Sequence, residues 1–303
     1  MKSLAMVLRA AALPTAVLGL TGLTSLPASA TTFSVTGPCS LATTTGSSPV
    51  TVMQTCTSGS TGETYQGTAK SSQGHLGTSI TTTGGSTIQG AIESSLASFT
   101  TDVIFSPTAG STATTINVSL NLNIAGSLAG ALNTTAAWTI FGGAGAGGFS
   151  FAMDSVVQPG GVTGNPPLAP THSATNISYT SGGETLSPFS DTVSATATTA
   201  LFTVGVGVLV PIDLNLRVDG GASLGATGMA DFLNSLDFPL TNIFNLPDGF
   251  TVNDPDMFIS NNNFVSPVAA VPEPSTWAML LLGFAALGYM GLGQQSRVRA
   301  IAA

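Results

Sequence analysis

Apolar and polar residues alternate strictly along two stretches of the chain. In residues 114–124 apolar side chains fill every second position, and Thr, Asn or Ser fills the positions between them. That apolar set is Ile116, Val118, Leu120, Leu122 and Ile124. Residues 200–218 end in the same pattern, whose apolar set is Ile212, Leu214, Leu216 and Val218. Because a period of two residues is typical of a strand with one buried face, both stretches predict β-strands.

Proline and glycine interrupt this pattern. Pro211 predicts an edge position or a bulge, because proline cannot donate to a strand ladder. The Gly-rich stretches 142–148 and 158–167 predict turns or loops. Residues 87–99 instead predict one short helix capped by Ser86, because their apolar residues recur with helical spacing. That apolar stripe holds Ile88, Ile92, Leu96 and Phe99.

Many strands and few helices indicate a mainly β chain, and we expect a β-sandwich or jelly-roll-like domain over residues 31–263. Hydrophobic residues make up 43% of the 303 residues. Charged residues make up only 7%, against roughly 25% in ordinary soluble domains. This hydrophobicity argues against disorder. Between Thr31 and Pro272 only Lys70 and Arg217 are basic, so we expect no nucleic-acid partner.

The first thirty residues predict a signal peptide. Lys2 and Arg9 give a positive start, an apolar stretch follows, and Ala28-Ser29-Ala30 supplies the small residues that signal peptidase requires. We therefore expect cleavage after Ala30 and export of the mature chain. The alternative is an N-terminal membrane anchor.

The chain holds two cysteines, Cys39 and Cys56. In an oxidising exterior compartment they most simply form one disulfide. Free thiols or metal ligands are the alternatives, although a two-cysteine site without a nearby histidine is a poor zinc site.

The C-terminal segment combines a proline hinge with an uncharged apolar run. Pro272 and Pro274 predict an extended linker over residues 264–276, because neither fits inside a regular helix. Residues 277–293 predict a transmembrane helix. Residues 294–303 form a short basic tail in which Arg297 and Arg299 predict a cytoplasmic location.

Residues 271–284, VPEPSTWAMLLLGF, resemble the PEP-CTERM protein-sorting signal. That signal joins a Pro-Glu-Pro motif, a transmembrane helix and a basic tail, and exosortase recognises it in Gram-negative bacteria that make exopolysaccharide. The resemblance implies that Pro272, Glu273 and Pro274 are the recognition residues and that the two arginines form the retention signal. The tail is thinner in basic residues than is usual in the family. The stretch 231–265, a strand pair joined through a Leu-Pro-Asp-Gly-Phe turn, also resembles what often precedes this signal. An ordinary C-terminal anchor is the alternative.

Catalytic patterns are weak in the sequence. His75 and His172 each stand alone in Gly-, Ser- or Pro-rich stretches, which predicts surface loop residues. The glycines at 143–148 lack the acidic partner of a dinucleotide site, and we expect no cofactor. Two Asp/Asn sets offer calcium ligands, although such clusters are also common in turns. They are Asn253, Asp254, Asp256 and Asn261–Asn263, and Asp213, Asn215 and Asp219.

Together these features predict an exported, non-enzymatic surface or extracellular-matrix protein that is sorted by exosortase. Its expected partners are signal peptidase, exosortase, the inner membrane before processing, and exopolysaccharide or further copies of itself. The alternative is a carbohydrate-binding module or carbohydrate-active enzyme with the same sorting signal. Two carboxylates would be needed for glycoside hydrolysis, and no sequence pattern selects a pair.

Overall fold

The structure is a computed structural model, and it describes the central part of the chain. The described residues are 31–40, 43–58, 62–85, 91–108, 110–131, 134–145, 148–157, 171–178, 183–186 and 189–265. Within them helical geometry is limited to a 3-10 turn at Pro38–Ser40, and strands dominate. The prediction of a mainly β chain is confirmed.

Twenty strands are present in the described residues. The first ten are β1 (Thr32–Thr36), β2 (Thr43–Gly46), β3 (Val50–Thr57), β4 (Thr64–Ser72), β5 (His75–Thr83), β6 (Ile92–Pro107), β7 (Thr115–Gly130), β8 (Thr134–Ala144), β9 (Phe149–Val157) and β10 (Thr171–Thr175). The others are β11 (Ile177–Ser178), β12 (Gly183–Leu186), β13 (Phe189–Thr199), β14 (Phe202–Gly205), β15 (Leu209–Ala222), β16 (Thr227–Asp237), β17 (Phe244–Asn245), β18 (Phe250–Asn253), β19 (Ile259–Ser260) and β20 (Asn263–Phe264).

These strands form two large antiparallel sheets. The eight-stranded sheet has the order β10-β9-β8-β15-β6-β1-β2, and β18 also pairs with β6. The ten-stranded sheet has the order β11-β13-β7-β16-β5-β4-β3, with β12 beside β13 and with β14 and β17 beside β7. Strands β19 and β20 form a separate hairpin. The chain changes sheet repeatedly, for example from β6 to β7 and back to β8, so the two layers are linked along their length.

The two sheets face each other across one hydrophobic core. Aromatic pairs join the layers: the rings of Trp138 on β8 and Phe232 on β16 lie 5.2 Å apart. Phe105 on β6 and Phe244 on β17 are also 5.2 Å apart, in an edge-to-face arrangement. Such pairs add specific ring contacts to the burial of apolar area that stabilises the layers.

The two alternating stretches behave as their pattern predicts. Strand β7 buries Ile116, Val118, Leu120, Leu122 and Ile124. Strand β15 buries Ile212, Leu214, Leu216 and Val218. Both strand predictions are therefore confirmed, and each strand buries one of its two faces in the core.

The expectation of an edge position or a bulge at Pro211 is correct in part. Strand β15 is central, between β6 and β8, but its ladder with β8 begins only at Ile212, so Pro211 pairs with β6 alone and lies at a local edge without a bulge. Proline is tolerated there because the Pro211 carbonyl already faces Gly145, whose N–H donates to it at 2.9 Å, just beyond the end of β8. In an antiparallel strand the N–H of a residue points to the same side as its carbonyl, so the missing donor would have faced a turn and not the ladder.

The predicted helix over 87–99 is wrong. Residues 86–90 lie outside the described residues, and from Ile92 onward the chain is strand β6. From Ser95 to Phe105, β6 buries every second residue, and the apolar members of that set are Ala97, Phe99, Val103 and Phe105. Ile92, a member of the predicted helical stripe, is 55% exposed. The helical spacing of four apolar residues is therefore a coincidence, and the period of two over the longer stretch describes the structure. Pairing with β1 and β15 fixes the backbone of β6 as extended.

The turn predictions are correct in part. Gly145 and Gly148 have positive φ and form a turn, but Gly142–Ala144 belong to β8. Residues 158–167 lie outside the described residues. The 246–249 turn joins β17 to β18, and Gly249 has φ 83°. Those two strands do not pair with each other, since β17 joins β7 and β18 joins β6. The turn therefore carries the chain from one sheet to the other.

Candidate functional site

A shallow groove lies on the outer face of the eight-stranded sheet. We call it the Phe141 groove and define it by six of the residues that line its volume of about 620 Å³: Ser98, Thr100, Phe141, Gly143, Asp213 and Asn215. Three strands bring these residues together. Phe141 on β8 lies opposite Asn215 on β15, which lies opposite Ser98 on β6. The neighbouring row contains Gly143, Asp213 and Thr100 in the same order.

Phe141 presents its ring to solvent at the groove. Its side chain is 37% exposed, although the preceding residue, Ile140, is completely buried. This difference follows from the alternation of β8, which turns Trp138 and Ile140 into the core and Phe141 outward. The structure therefore places an aromatic surface beside polar side chains of two neighbouring strands.

Hydrogen bonds fix the polar side chains of the groove. Thr100 Oγ1 donates to Asp213 Oδ1 at 2.7 Å. Asn215 Nδ2 donates to the Phe141 carbonyl at 3.3 Å. Within the described residues, Asp213 Oδ2 and Asn215 Oδ1 accept no side-chain hydrogen bond. Two oriented acceptor atoms therefore remain available beside the Phe141 ring.

Glycine keeps the floor of the groove low. A Cβ atom at Gly143 would meet only the Phe149 carbonyl oxygen, at 3.0 Å, so a side chain there would project into the groove. A Cβ atom at Gly142 would collide with the Asp213 carbonyl at 2.2 Å. The Gly142-Gly143 pair therefore allows close strand approach and leaves the space beside Asp213 open.

The outer face of the ten-stranded sheet is built differently, from threonine–asparagine pairs. Thr203 donates to Asn117 at 2.7 Å, and Thr198 donates to Asn121 at 2.8 Å. Asn121 also donates to the Asn242 carbonyl at 2.8 Å. These bonds join β7 to its neighbours, so the polar groups of this face are used largely within the protein.

His75 has a partner that its sequence neighbourhood does not reveal. It begins β5, and its Nδ1 lies 2.5 Å from Asp237 Oδ1 on β16. The interpretation of His75 as an isolated loop residue is therefore wrong. Its Nε2 lies 3.2 Å from the Leu233 carbonyl, which can only accept a hydrogen bond. Since Nε2 must donate there, the pair lacks the free acceptor nitrogen of a general base. His172 lies on β10, opposite Ser155.

Glu63 and Glu93 hold backbone groups beside the cysteines. Glu63 Oε2 accepts from the Ala91 N–H at 2.8 Å and from the Tyr65 hydroxyl. Glu93 Oε2 accepts from the Cys39 N–H at 2.8 Å. Burial, followed by the hydrogen bond to Glu63, raises the pKa of the Tyr65 hydroxyl above its ordinary range. These contacts indicate a structural role for both glutamates.

The structure bonds Cys39 to Cys56, with their Cα atoms 6.5 Å apart. Cys39 lies in the turn after β1 and Cys56 lies on β3, so the bridge ties the eight-stranded sheet to the ten-stranded sheet at one edge. Both cysteines also pack against the core.

The Asp/Asn cluster at 253–263 satisfies backbone donors. Asp254 Oδ1 accepts from the N–H groups of Asp256 and Met257 at 3.0 and 3.2 Å. Asn253 Oδ1 accepts from the Asn261 N–H at 2.9 Å. In the second set, Asp219 accepts from Arg217 at 2.7 Å. Within the described residues, no group of three His, Cys, Asp or Glu side chains is placed to hold a metal ion.

Comparison with protein families decides what the C-terminal segment is. Residues 270–293 match the PEP-CTERM protein-sorting motif. This segment is an exosortase sorting signal. The resemblance seen in the sequence is thereby confirmed, and the PEP-CTERM motif implies exosortase processing and export to the surface or extracellular space. No curated protein and no solved structure matches the chain.

The sorting and processing residues lie outside the described residues. They are Ala28 and Ala30 of the predicted cleavage site, Pro272, Glu273 and Pro274 of the PEP-CTERM motif, and Arg297 and Arg299 of the predicted retention tail. The predicted transmembrane helix at 277–293 lies there too. Among the residues that the structure describes, no helix has the length and apolar character needed to cross a membrane.

Proposed function

We propose that this chain is a non-enzymatic surface or extracellular-matrix protein that associates with exopolysaccharide after sorting by exosortase. The PEP-CTERM motif at 270–293 is the observation that carries this proposal. Signal peptidase would cleave after Ala30, and the helix at 277–293 would hold the precursor briefly in the inner membrane. Exosortase would then act at or near Pro272, Glu273 and Pro274.

The two-sheet domain supports a binding role over a catalytic one. Its outer faces carry many uncharged hydroxyl and amide groups, which suit contact with hydrated, hydroxyl-rich polymers. His75, Glu63 and Glu93 are engaged by partners within the domain. Catalysis of hydrolysis would need a nucleophile or a pair of carboxylates free to act on a substrate.

Intact mass of the mature protein from the native host, with and without exosortase, tests the sorting step. We expect a product that begins at Thr31 and ends near Pro272–Pro274 only when exosortase is present. Alanine at Pro272 and Pro274 should block this processing, whereas Pro267→Ala, a proline outside the motif, should not. A product that retains Arg299 in both strains would contradict the proposal.

Incubation with exopolysaccharide from the same host tests the non-enzymatic role. We expect the protein to co-sediment with the polymer and to leave its chain length and its number of reducing ends unchanged. Shortening of the polymer by the purified protein would overturn the non-enzymatic part of the proposal and favour the carbohydrate-active enzyme.

A further inference from the structure

We propose that the Phe141 groove binds neutral sugar units of a polysaccharide chain. This inference rests on the proposed association with exopolysaccharide and assigns it to one surface of the domain. Three features of the groove carry it: an exposed ring, two oriented acceptor atoms, and the lack of an available positive charge.

The Phe141 ring supplies the apolar part of the site. A pyranose ring has an apolar face of C–H groups and a rim of hydroxyl groups, so it matches an aromatic surface surrounded by polar atoms. Phe141 is 37% exposed and lies between Ala152 on β9 and Asn215 on β15. Its ring therefore has flanking strands on both sides and solvent above it, which leaves one face or edge open for stacking.

Asp213 and Asn215 supply the polar part. Asp213 Oδ2 and Asn215 Oδ1 can accept hydrogen bonds from sugar hydroxyls, while Thr100 and the Phe141 carbonyl hold the other ends of the two side chains. Because those bonds already restrain both side chains, little conformational entropy is lost on binding. Hydrogen bonds to the charged Asp213 carboxylate are also stronger than neutral ones.

The charge of the groove favours neutral sugars over uronic acids. Asp213 is exposed and would repel a carboxylated sugar at close range. The nearby cation on the same face is Arg217, which donates to Asp219 at 2.7 Å and is thus already paired. A uronate would meet the Asp213 charge with no unpaired cation among the groove residues to compensate.

The neighbouring surface allows a polymer to continue past the ring. The row that begins at Phe141 continues through Asn215 and Ser98 to Ser34 on β1. Adjacent strands are about 4.8 Å apart, so these four positions span roughly 14 Å. Small polar side chains along this row leave room for more than one sugar unit.

Equilibrium binding of the native-host protein to exopolysaccharide purified from that host tests the inference. We expect Phe141→Ala to weaken binding about tenfold, in line with the loss of one aromatic contact and its buried area. Phe141→Trp should retain or strengthen binding, since it keeps the aromatic surface. Met229→Ala is the matched control, because Met229 is also 37% exposed but lies on the opposite sheet.

The outcomes separate the two proposals. If the wild type binds and Phe141→Ala binds equally well, the groove assignment is overturned and the polysaccharide association stands. If the wild type fails to bind, the proposed association itself fails. Chemical reduction of the uronic carboxyls in the polymer should leave the affinity unchanged or higher. Loss of binding after that reduction would contradict the preference for neutral sugars.

Discussion

The outer faces of the two sheets are both polar, but they use their polar groups in different ways. On the ten-stranded sheet, threonine hydroxyls and asparagine amides bond to each other across strands, as Thr198 does to Asn121. On the eight-stranded sheet, Asp213 and Asn215 each direct one atom to a protein partner and leave one acceptor facing solvent beside the Phe141 ring. The polar groups of the first face mainly hold neighbouring strands together, whereas the second face has acceptor atoms that can bind a ligand.

Thr100 and Thr101 show how two neighbouring residues of one strand direct hydrogen bonds to the outside and to the interior. They are neighbours on β6, so their side chains point to opposite sides of the sheet. Thr100 donates outward to Asp213 at 2.7 Å, and Thr101 donates inward to Asp254 at 2.6 Å. Alternation along a single strand therefore assigns one carboxylate to the groove and the other to the interior.

Loosening the core should abolish the difference between the faces, because both depend on the packed sheets. Trp138 is completely buried and packs against Phe232 of the other sheet, with the two rings tilted by 34°. We expect Trp138→Ala to lower the free energy of unfolding by about 3–5 kcal/mol in urea titrations. It should also weaken exopolysaccharide binding under conditions in which the domain is partly unfolded.

Trp138→Phe is the matched control for this change. The Trp138 Nε1 is buried and has no hydrogen-bond partner among the described residues, so phenylalanine removes that group while it keeps a ring against Phe232. We expect a much smaller loss of stability than for alanine. Equal losses for the two variants would show that the indole contributes through something other than its packing.

Removing the Cys39–Cys56 bridge should loosen the two sheets relative to each other at one edge. The cysteines are 17 positions apart, and closing a loop of that size contributes about 3 kcal/mol in the chain-entropy model. Replacing both cysteines by alanine should therefore lower the free energy of unfolding by about that amount. Met53→Ala, an exposed change on the same strand as Cys56, should shift it by less than about 0.5 kcal/mol. A double variant as stable as the wild type would contradict the prediction.

Alanine substitutions at Asn121 and at Asn215 should have opposite relative effects on stability and on exopolysaccharide binding. Asn121 bonds to Thr198, to Asn245 and to the Asn242 carbonyl, so its loss should lower the free energy of unfolding by about 1–2 kcal/mol. Asn215 donates one longer bond to Phe141, and its loss should cost less than about 1 kcal/mol. Exopolysaccharide affinity should change in the opposite order. If Asn121→Ala weakened binding more than Asn215→Ala, the roles of the two faces would be reversed.

Alternation in the sequence predicts which side chains face the core but not which sheet a strand joins. The pattern at 114–124 identifies the buried face of β7 because it depends only on neighbouring residues. The pattern at 87–99 misleads, because a short window cannot show that β6 extends to Pro107 or that β15 pairs along it. Pro211 indicates a local edge correctly, but the sequence does not show that β15 is otherwise a central strand, since that depends on where β8 ends.

The candidate site depends on contacts that are distant in sequence. Asn215 and Phe141 are 74 positions apart, and His75 and Asp237 are 162 positions apart. The sequence shows Phe141 beside Gly142 and Gly143, yet only the register of β8 with β15 places that ring beside Asp213 and Asn215. The PEP-CTERM motif was recognisable from sequence because its order along the chain is itself the signal.

The buried carboxylate of Asp254 should respond to pH, and this effect is the smallest we predict. Burial raises the pKa of Asp254 above its ordinary value, although the bonds from Thr101 and two backbone N–H groups oppose the shift. The folded protein therefore binds a proton at a pH where the unfolded chain, with a pKa of about 3.9, does not. The stability from this group is fully present below the unfolded pKa and is lost as pH rises through the folded pKa.

Asp254→Asn removes this titration but can keep the acceptor for the N–H groups of Asp256 and Met257. Relative to the wild type, it should therefore gain stability as pH rises from about 4 to 7, as measured by urea unfolding across that range. Asp254→Ala should be less stable than Asp254→Asn by about 1–3 kcal/mol at every pH in that range, because it leaves those donors without their acceptor. If the wild type instead became more stable relative to Asp254→Asn as pH rises, the hydrogen bonds would lower the pKa of Asp254 by more than burial raises it.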